Sequence, residues 1–102
     1  LNAKTKALTT GLYESALRAG VPFSTHQVGA MFGFFFTEQT ITRCSQLDTV
    51  DLARFKRFHR AMLTAGIYLA PSAFEAGFVS AAHTDSDIAT TVATATQIFN
   101  TL

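Results

Sequence analysis

At 102 residues the chain is one domain's worth of sequence, enough to bury one core but not two. A net charge of +1 with 15% charged residues gives no electrostatic case for a nucleic-acid or acidic-membrane partner. The single cysteine, Cys44, excludes an internal disulfide and suits a reducing compartment, and no apolar run reaches the length that spans a bilayer.

Residues 2–19 read as a helix. Leu8, Leu12, Ala16 and Ala19 recur at helical spacing, with Lys4, Lys6, Glu14 and Arg18 elsewhere on the wheel. Gly20 is the expected stop and Pro22 prevents continuation. Gly11 inside the helix costs about 1 kcal/mol relative to Ala, so this helix needs tertiary support. From Phe23 to Thr37 the chain reads as two strands about a turn or bulge at Gly29. In the second, Phe32, Phe34 and Phe36 share one face, and Met31, Gly33 and Phe35 the other. Both faces are apolar, which predicts a central strand covered on both sides. Gly33 removes a side chain where something approaches closely.

Residues 38–50 form a polar loop, long for a compact domain. Residues 51–65 carry the clearest helical pattern: Leu52, Phe55, Phe58 and Met62 on the apolar face, and Lys56, Arg57, Arg60 and Thr64 on the polar one, with Arg54 at the margin. Asp48 is the expected N-cap, with Asp51 in the first turn, and Gly66 ends the helix. Short strands are expected at 67–69 and 78–82. The last helix begins at Thr84, with Asp87 three residues on in a capping box. Its buried face is Ile88, Val92, Ala95, Phe99 and Leu102. The fold class is α+β: a small, mostly antiparallel sheet of three to four strands with helices packed on it.

The candidate chemistry is sparse. His26, His59 and His83 stand at no metal-like spacing, and Cys44 is isolated. Lys4, Lys6 and Lys56 lie in polar helix contexts unsuited to a desolvated Schiff base. Residues 1–60 hold all eight Lys and Arg against four acids, whereas residues 61–102 hold three acids and no base. Glu75, in YLAPSAFEAGF (68–78), is the only charged residue between Arg60 and Asp85. It is either a loop tip in water or a placed group that receives an ammonium or orients a polar substrate.

Three stretches carry a resemblance: GLYESALRAGVPF (11–23), VGAMFGFFFT (28–37) and FKRFHRAMLTAGIYLAPSAFEAGFVSAAHT (55–84). With the capped helix that follows, they resemble the C-terminal end of the glutamate-1-semialdehyde 2,1-aminomutase family, among the class III aminotransferases of fold-type I. SAFEAGF (72–78) is the specific part; STHQ (24–27) and the loop around Cys44 are the least similar. The resemblance implies that residues 1–102 are a small C-terminal domain whose large domain binds pyridoxal 5′-phosphate and supplies the Schiff-base lysine. It implies an isomerase that moves an amino group from C2 to C1 of glutamate 1-semialdehyde, giving 5-aminolevulinate for tetrapyrrole (porphyrin) biosynthesis. The cofactor would be the electron sink.

The resemblance further implies a homodimer in the cytoplasm or the plastid stroma, with no nucleic-acid or membrane partner, and a segment inactive alone. The first Met at Met31 fits a fragment. Related transaminases clamp an α-carboxylate with an Arg near the returning strand; here Glu75 occupies that neighbourhood, which implies a substrate-binding role. The open alternatives are another class III aminotransferase and an autonomous α+β binding module.

Overall fold

The computed structural model describes residues 2–39, 49–70, 77–80 and 82–102. Its elements in chain order are helix α1 (Asn2–Arg18), strands β1 (Ser24–Val28) and β2 (Met31–Phe35), helix α2 (Leu52–Thr64), strand β3 (Gly77–Phe78) and helix α3 (Asp85–Phe99). The strands form one antiparallel sheet in the order β1-β2-β3. This is the expected α+β architecture.

Each turn has a local cause. After α1, Gly20 takes φ 74° and Val21 N–H returns to Ala16 O at 2.9 Å, closing the helix in the left-handed conformation that glycine adopts most readily. Between β1 and β2, Gly29 takes φ 59°, the sign a two-residue II′ hairpin turn requires at its first position. That turn fixes the register Val28↔Met31, His26↔Gly33 and Ser24↔Phe35. The start of α2 differs from expectation. Asp51 itself is the N-cap, accepting from Arg54 N–H at 3.0 Å. Asp48 lies outside the described residues. At α3 the reciprocal Thr84–Asp87 capping box is present, with bonds of 3.0 and 2.8 Å.

The core lies between the helices and one face of the sheet. Phe23, Phe34, Phe36, Phe55, Phe58 and Phe99 form a continuous aromatic cluster with centroid separations from 4.9 to 6.3 Å. Most pairs are edge-to-face, which suits the ring quadrupoles. α1 and α3 pack closely where Gly11 faces Val92: a Cβ on Gly11 would come within 2.8 Å of Val92 Cγ2. The glycine that weakens α1 alone is therefore what lets α3 approach. Hydroxyls complete this seam. Thr96 donates to Val92 O at 2.8 Å, so the 2.6 Å contact with Ser15 is a Ser15 O–H donating to Thr96 Oγ1.

Three expectations need correction. Residues 67–69 are not a strand. Ile67 N–H bonds back to Met62 O at 2.9 Å, and the His59 ring N–H donates to Leu69 O at 3.1 Å. Those bonds tie this stretch to α2 instead of the sheet. Among the described residues the last strand is Gly77–Phe78, although Val79 N–H still donates to Ala30 O at 2.9 Å. Finally, β2 is central as expected, but among the described residues the helices pack on only one of its faces, that of Phe32, Phe34 and Phe36.

Candidate functional site

The candidate site is the path from the end of α2 to β3. Its entry is held by the His59–Leu69 bond, and His59 is itself packed beside Phe55 at 5.9 Å between centroids. Its exit is held by pairing to β2, with Phe32 opposite Gly77 and Met31 opposite Phe78. Glu75, Pro71 and the rest of 71–76 lie outside the described residues, as does Cys44. The two flanks, Ile67–Leu69 and Phe78–Val79, border one open groove of about 510 Å³, with His83 and Asp87 at its polar end. Among the described residues no lysine or arginine lines it. Tyr68 and Phe78 are 73% and 68% exposed, so the path carries uncovered aromatic surface on both sides of the segment that bears Glu75.

The polar end is organised by local bonds. His83 Nδ1 accepts from Ser80 N–H at 2.9 Å, which places the proton of the neutral ring on Nε2. Lys4 Nζ donates to His83 O at 2.6 Å, tying the start of α1 to this loop. Bonds from the Thr84 backbone N–H, then from the Thr84 side chain, hold the Asp87 carboxyl below its ordinary range. These are the interactions of a helix cap, and they leave Asp87 a poor proton donor at neutral pH.

The three histidines are not brought together. His26 is exposed on β1 and lies flat over Gly33, where a Cβ would overlap its ring; it stacks on Phe35 at 5.6 Å. No group of histidine, cysteine or carboxylate side chains among the described residues is arranged to hold a metal ion. Lys4, Lys6 and Lys56 lie on helices; Lys6 and Lys56 are exposed, and Lys4 is only half-buried, with its ammonium at a surface carbonyl. None has the desolvated surroundings that Schiff-base chemistry needs. Arg54 lays its guanidinium toward α3: Nη2 reaches Leu102 O at 3.5 Å, while Nε is buried without a hydrogen bond among the described residues.

One feature escaped the sequence reading. Val28, Met31 and Phe78 stand in a single row across all three strands, on the face away from the helices. Val28 and Phe78 are each 68% exposed. The alternation in β1 and β2 held part of this signal. Its meaning depended on the register of β3, which two residues of strand do not announce. No helix among the described residues is long and apolar enough to cross a membrane.

No family model matches the chain. Curated relatives do. The chain is 53% identical over 102 residues to the glutamate-1-semialdehyde 2,1-aminomutase of Dechloromonas aromatica (strain RCB), covering all of this chain and 24% of that protein. It is 52% identical over 99 residues to the glutamate-1-semialdehyde 2,1-aminomutase of Laribacter hongkongensis (strain HLHK9), covering 97% of this chain and 23% of that protein. The chain thus spans roughly a quarter of the length of the relatives it matches.

Proposed function

We propose, on the premise that this chain belongs along its whole length to the glutamate-1-semialdehyde 2,1-aminomutase family, that it is the small C-terminal domain of such an enzyme. The full-length polypeptide converts glutamate 1-semialdehyde to 5-aminolevulinate in the cytoplasm or plastid stroma, acting as a homodimer in tetrapyrrole biosynthesis. The observation that carries this reading is the identity of about half the residues across the entire chain.

The cofactor of this reading is pyridoxal 5′-phosphate, which supplies the electron sink for moving an amino group. The described residues of this chain do not fit the role of holding it. The lysines sit at the surface of helices, and among the described residues no lysine or arginine lines the groove to meet a phosphate. The cofactor site is assigned to the large domain, and this segment contributes shape and charge beside it.

Glu75 is the residue of this chain assigned to the substrate. A carboxylate in an apolar stretch of sequence without Lys or Arg would repel an α-carboxylate and attract an ammonium. That suits a substrate carrying an aldehyde where an amino acid carries its carboxylate. The test is Glu75→Gln in the full-length enzyme. The expected result is a drop of about tenfold or more in kcat/KM for glutamate 1-semialdehyde, with weakened discrimination against ordinary amino acids. Unchanged values of both would remove Glu75 from the site. Turnover of amino acids with external keto acids, and none of the semialdehyde, would indicate a different aminotransferase.

A further inference from the structure

We propose that His83 is a positioning residue for the reaction: it holds the exit of the Glu75-bearing path through a hydrogen bond that only its neutral ring can accept, so that protonation of the ring releases that exit. The inference rests on the aminomutase reading above. In the chain, Glu75 stands two residues before Gly77 and five before Ser80. Gly77 and Phe78 pair with β2, and Val79 N–H reaches Ala30 O at 2.9 Å. Past the end of that ladder, Ser80 N–H finds its acceptor in the His83 ring, with Nδ1 at 2.9 Å, and His83 N–H donates back to Ser80 O at 3.1 Å. The His83 carbonyl takes the ammonium of Lys4 on α1 at 2.6 Å, and the next residue, Thr84, caps α3. One residue therefore joins the end of β3 to the first helix and the last.

The direction of the ring bond makes it sensitive to protons. A neutral imidazole keeps one nitrogen free to accept, whereas an imidazolium donates from both. A protonated His83 would turn an N–H toward the Ser80 N–H, and the bond would be lost. His59, at the entry of the same path, behaves in the opposite way. Its ring donates to Leu69 O at 3.1 Å, which it can do neutral or charged. Acid thus frees the exit and leaves the entry held. Ser80 and His83 are both exposed, so solvent protons reach the ring. The charged groups that face it are Lys4 on α1 and Asp87 on α3, with Asp85 in the same first turn of α3. Tyr68 lines the same groove from the path after α2, and β2 and β3 carry no titratable side chain. Imidazole is the side chain whose charge ordinarily changes between about pH 5 and 8.

The experiment uses the full-length polypeptide with two substitutions. His83→Leu removes the acceptor. His83→Asn keeps one, because its amide oxygen stands the same number of bonds from Cα as Nδ1 and stays uncharged. Turnover of glutamate 1-semialdehyde and hydrogen exchange of the Ser80 amide, corrected for its intrinsic rate, are followed from about pH 8 to 5. At the upper end His83→Leu is expected to lose about tenfold in kcat/KM, and His83→Asn to recover most of that loss. On acidification the unsubstituted protein is expected to lose about tenfold in Ser80 protection and His83→Asn less than about twofold, with a shallower acid limb of kcat/KM in His83→Asn. Identical acid limbs and protection in the Asn variant and the unsubstituted protein overturn the proposal. So does a His83→Leu protein with unchanged kcat/KM. If His83→Leu does not fold, the comparison of His83→Asn with the unsubstituted protein decides alone. Failure of the functional reading is distinguishable. No turnover of glutamate 1-semialdehyde, with protection that falls on acidification only where His83 is present, defeats the assigned activity and leaves the clasp standing; turnover with protection independent of pH defeats the clasp alone.

Discussion

The two faces of one small sheet have opposite fates. On the helix side, Phe34 and Phe36 meet Phe55, Phe58 and Phe99, and Phe36, Phe58 and Phe99 are almost wholly removed from water. On the other side the apolar Val28 and Phe78 remain largely exposed. Hydrophobicity alone therefore does not say which face makes the fold. The connections do: every described helix returns to the Phe32/Phe34/Phe36 side, so that face closes on itself.

The sharpest way to break this comparison is to cut into the closed face. Phe58→Ala removes a ring with 0% exposure that contacts three other aromatic rings. The expected loss is about 3–5 kcal/mol, read by urea or thermal unfolding. A loss under about 1 kcal/mol would mean the cluster collapses around the gap and is not the core described.

A matched pair of glycine substitutions probes both faces with the same added methyl. At Gly77 a Cβ would come within 2.5 Å of Phe32 Cζ, and Phe32 is buried on the helix side. Gly77→Ala is expected to cost about 1–3 kcal/mol, since the ring has little room to yield. At Gly33 the obstacle is the exposed His26 ring, which can swing into solvent. Gly33→Ala is expected to change stability by less than about 1 kcal/mol while shifting the His26 imidazole resonances as the ring leaves Phe35. Equal costs at the two sites would erase the distinction between the faces.

The capping box lies away from both faces and sets the lower end of the scale. Thr84→Ala is expected to cost about 1 kcal/mol through the unsatisfied Asp87 N–H. Asp87 adds a pH dependence of known sign. Its folded-state pKa is lowered, so its stabilising contribution is complete above the ordinary aspartate range and is lost as pH falls through the lower folded value. Asp87→Asn, which removes the titrating group, should flatten that part of an acid-unfolding curve. An unaltered acid limb would place the dependence elsewhere.

Much of the fold is legible in the residues because local chemistry decides it. Gly20 and Gly66 stop helices by taking positive φ, Gly29 makes the hairpin, and Thr84 with Asp87 starts α3. What could not be read depends on tertiary partners. Gly11 looks like a weak point until Val92 is placed against it. Thr5, Thr9 and Ser15 are polar yet buried; Thr9 returns its hydroxyl to Thr5 O at 3.2 Å, and Ser15 bonds across to Thr96 at 2.6 Å. Ile67–Leu69 has strand-like text, but its bonds are taken by Met62 and His59. Of the site, the text singled out Glu75 by its charge isolation and by SAFEAGF, while the row of Val28, Met31 and Phe78 stayed hidden because it exists only once β3 is paired.

The most direct test of the account is Glu75→Gln in the full-length polypeptide. On the proposed aminomutase reading, the account predicts at least about a tenfold loss of kcat/KM for glutamate 1-semialdehyde with the melting temperature retained. Unchanged kcat/KM together with unchanged discrimination against ordinary amino acids would contradict it.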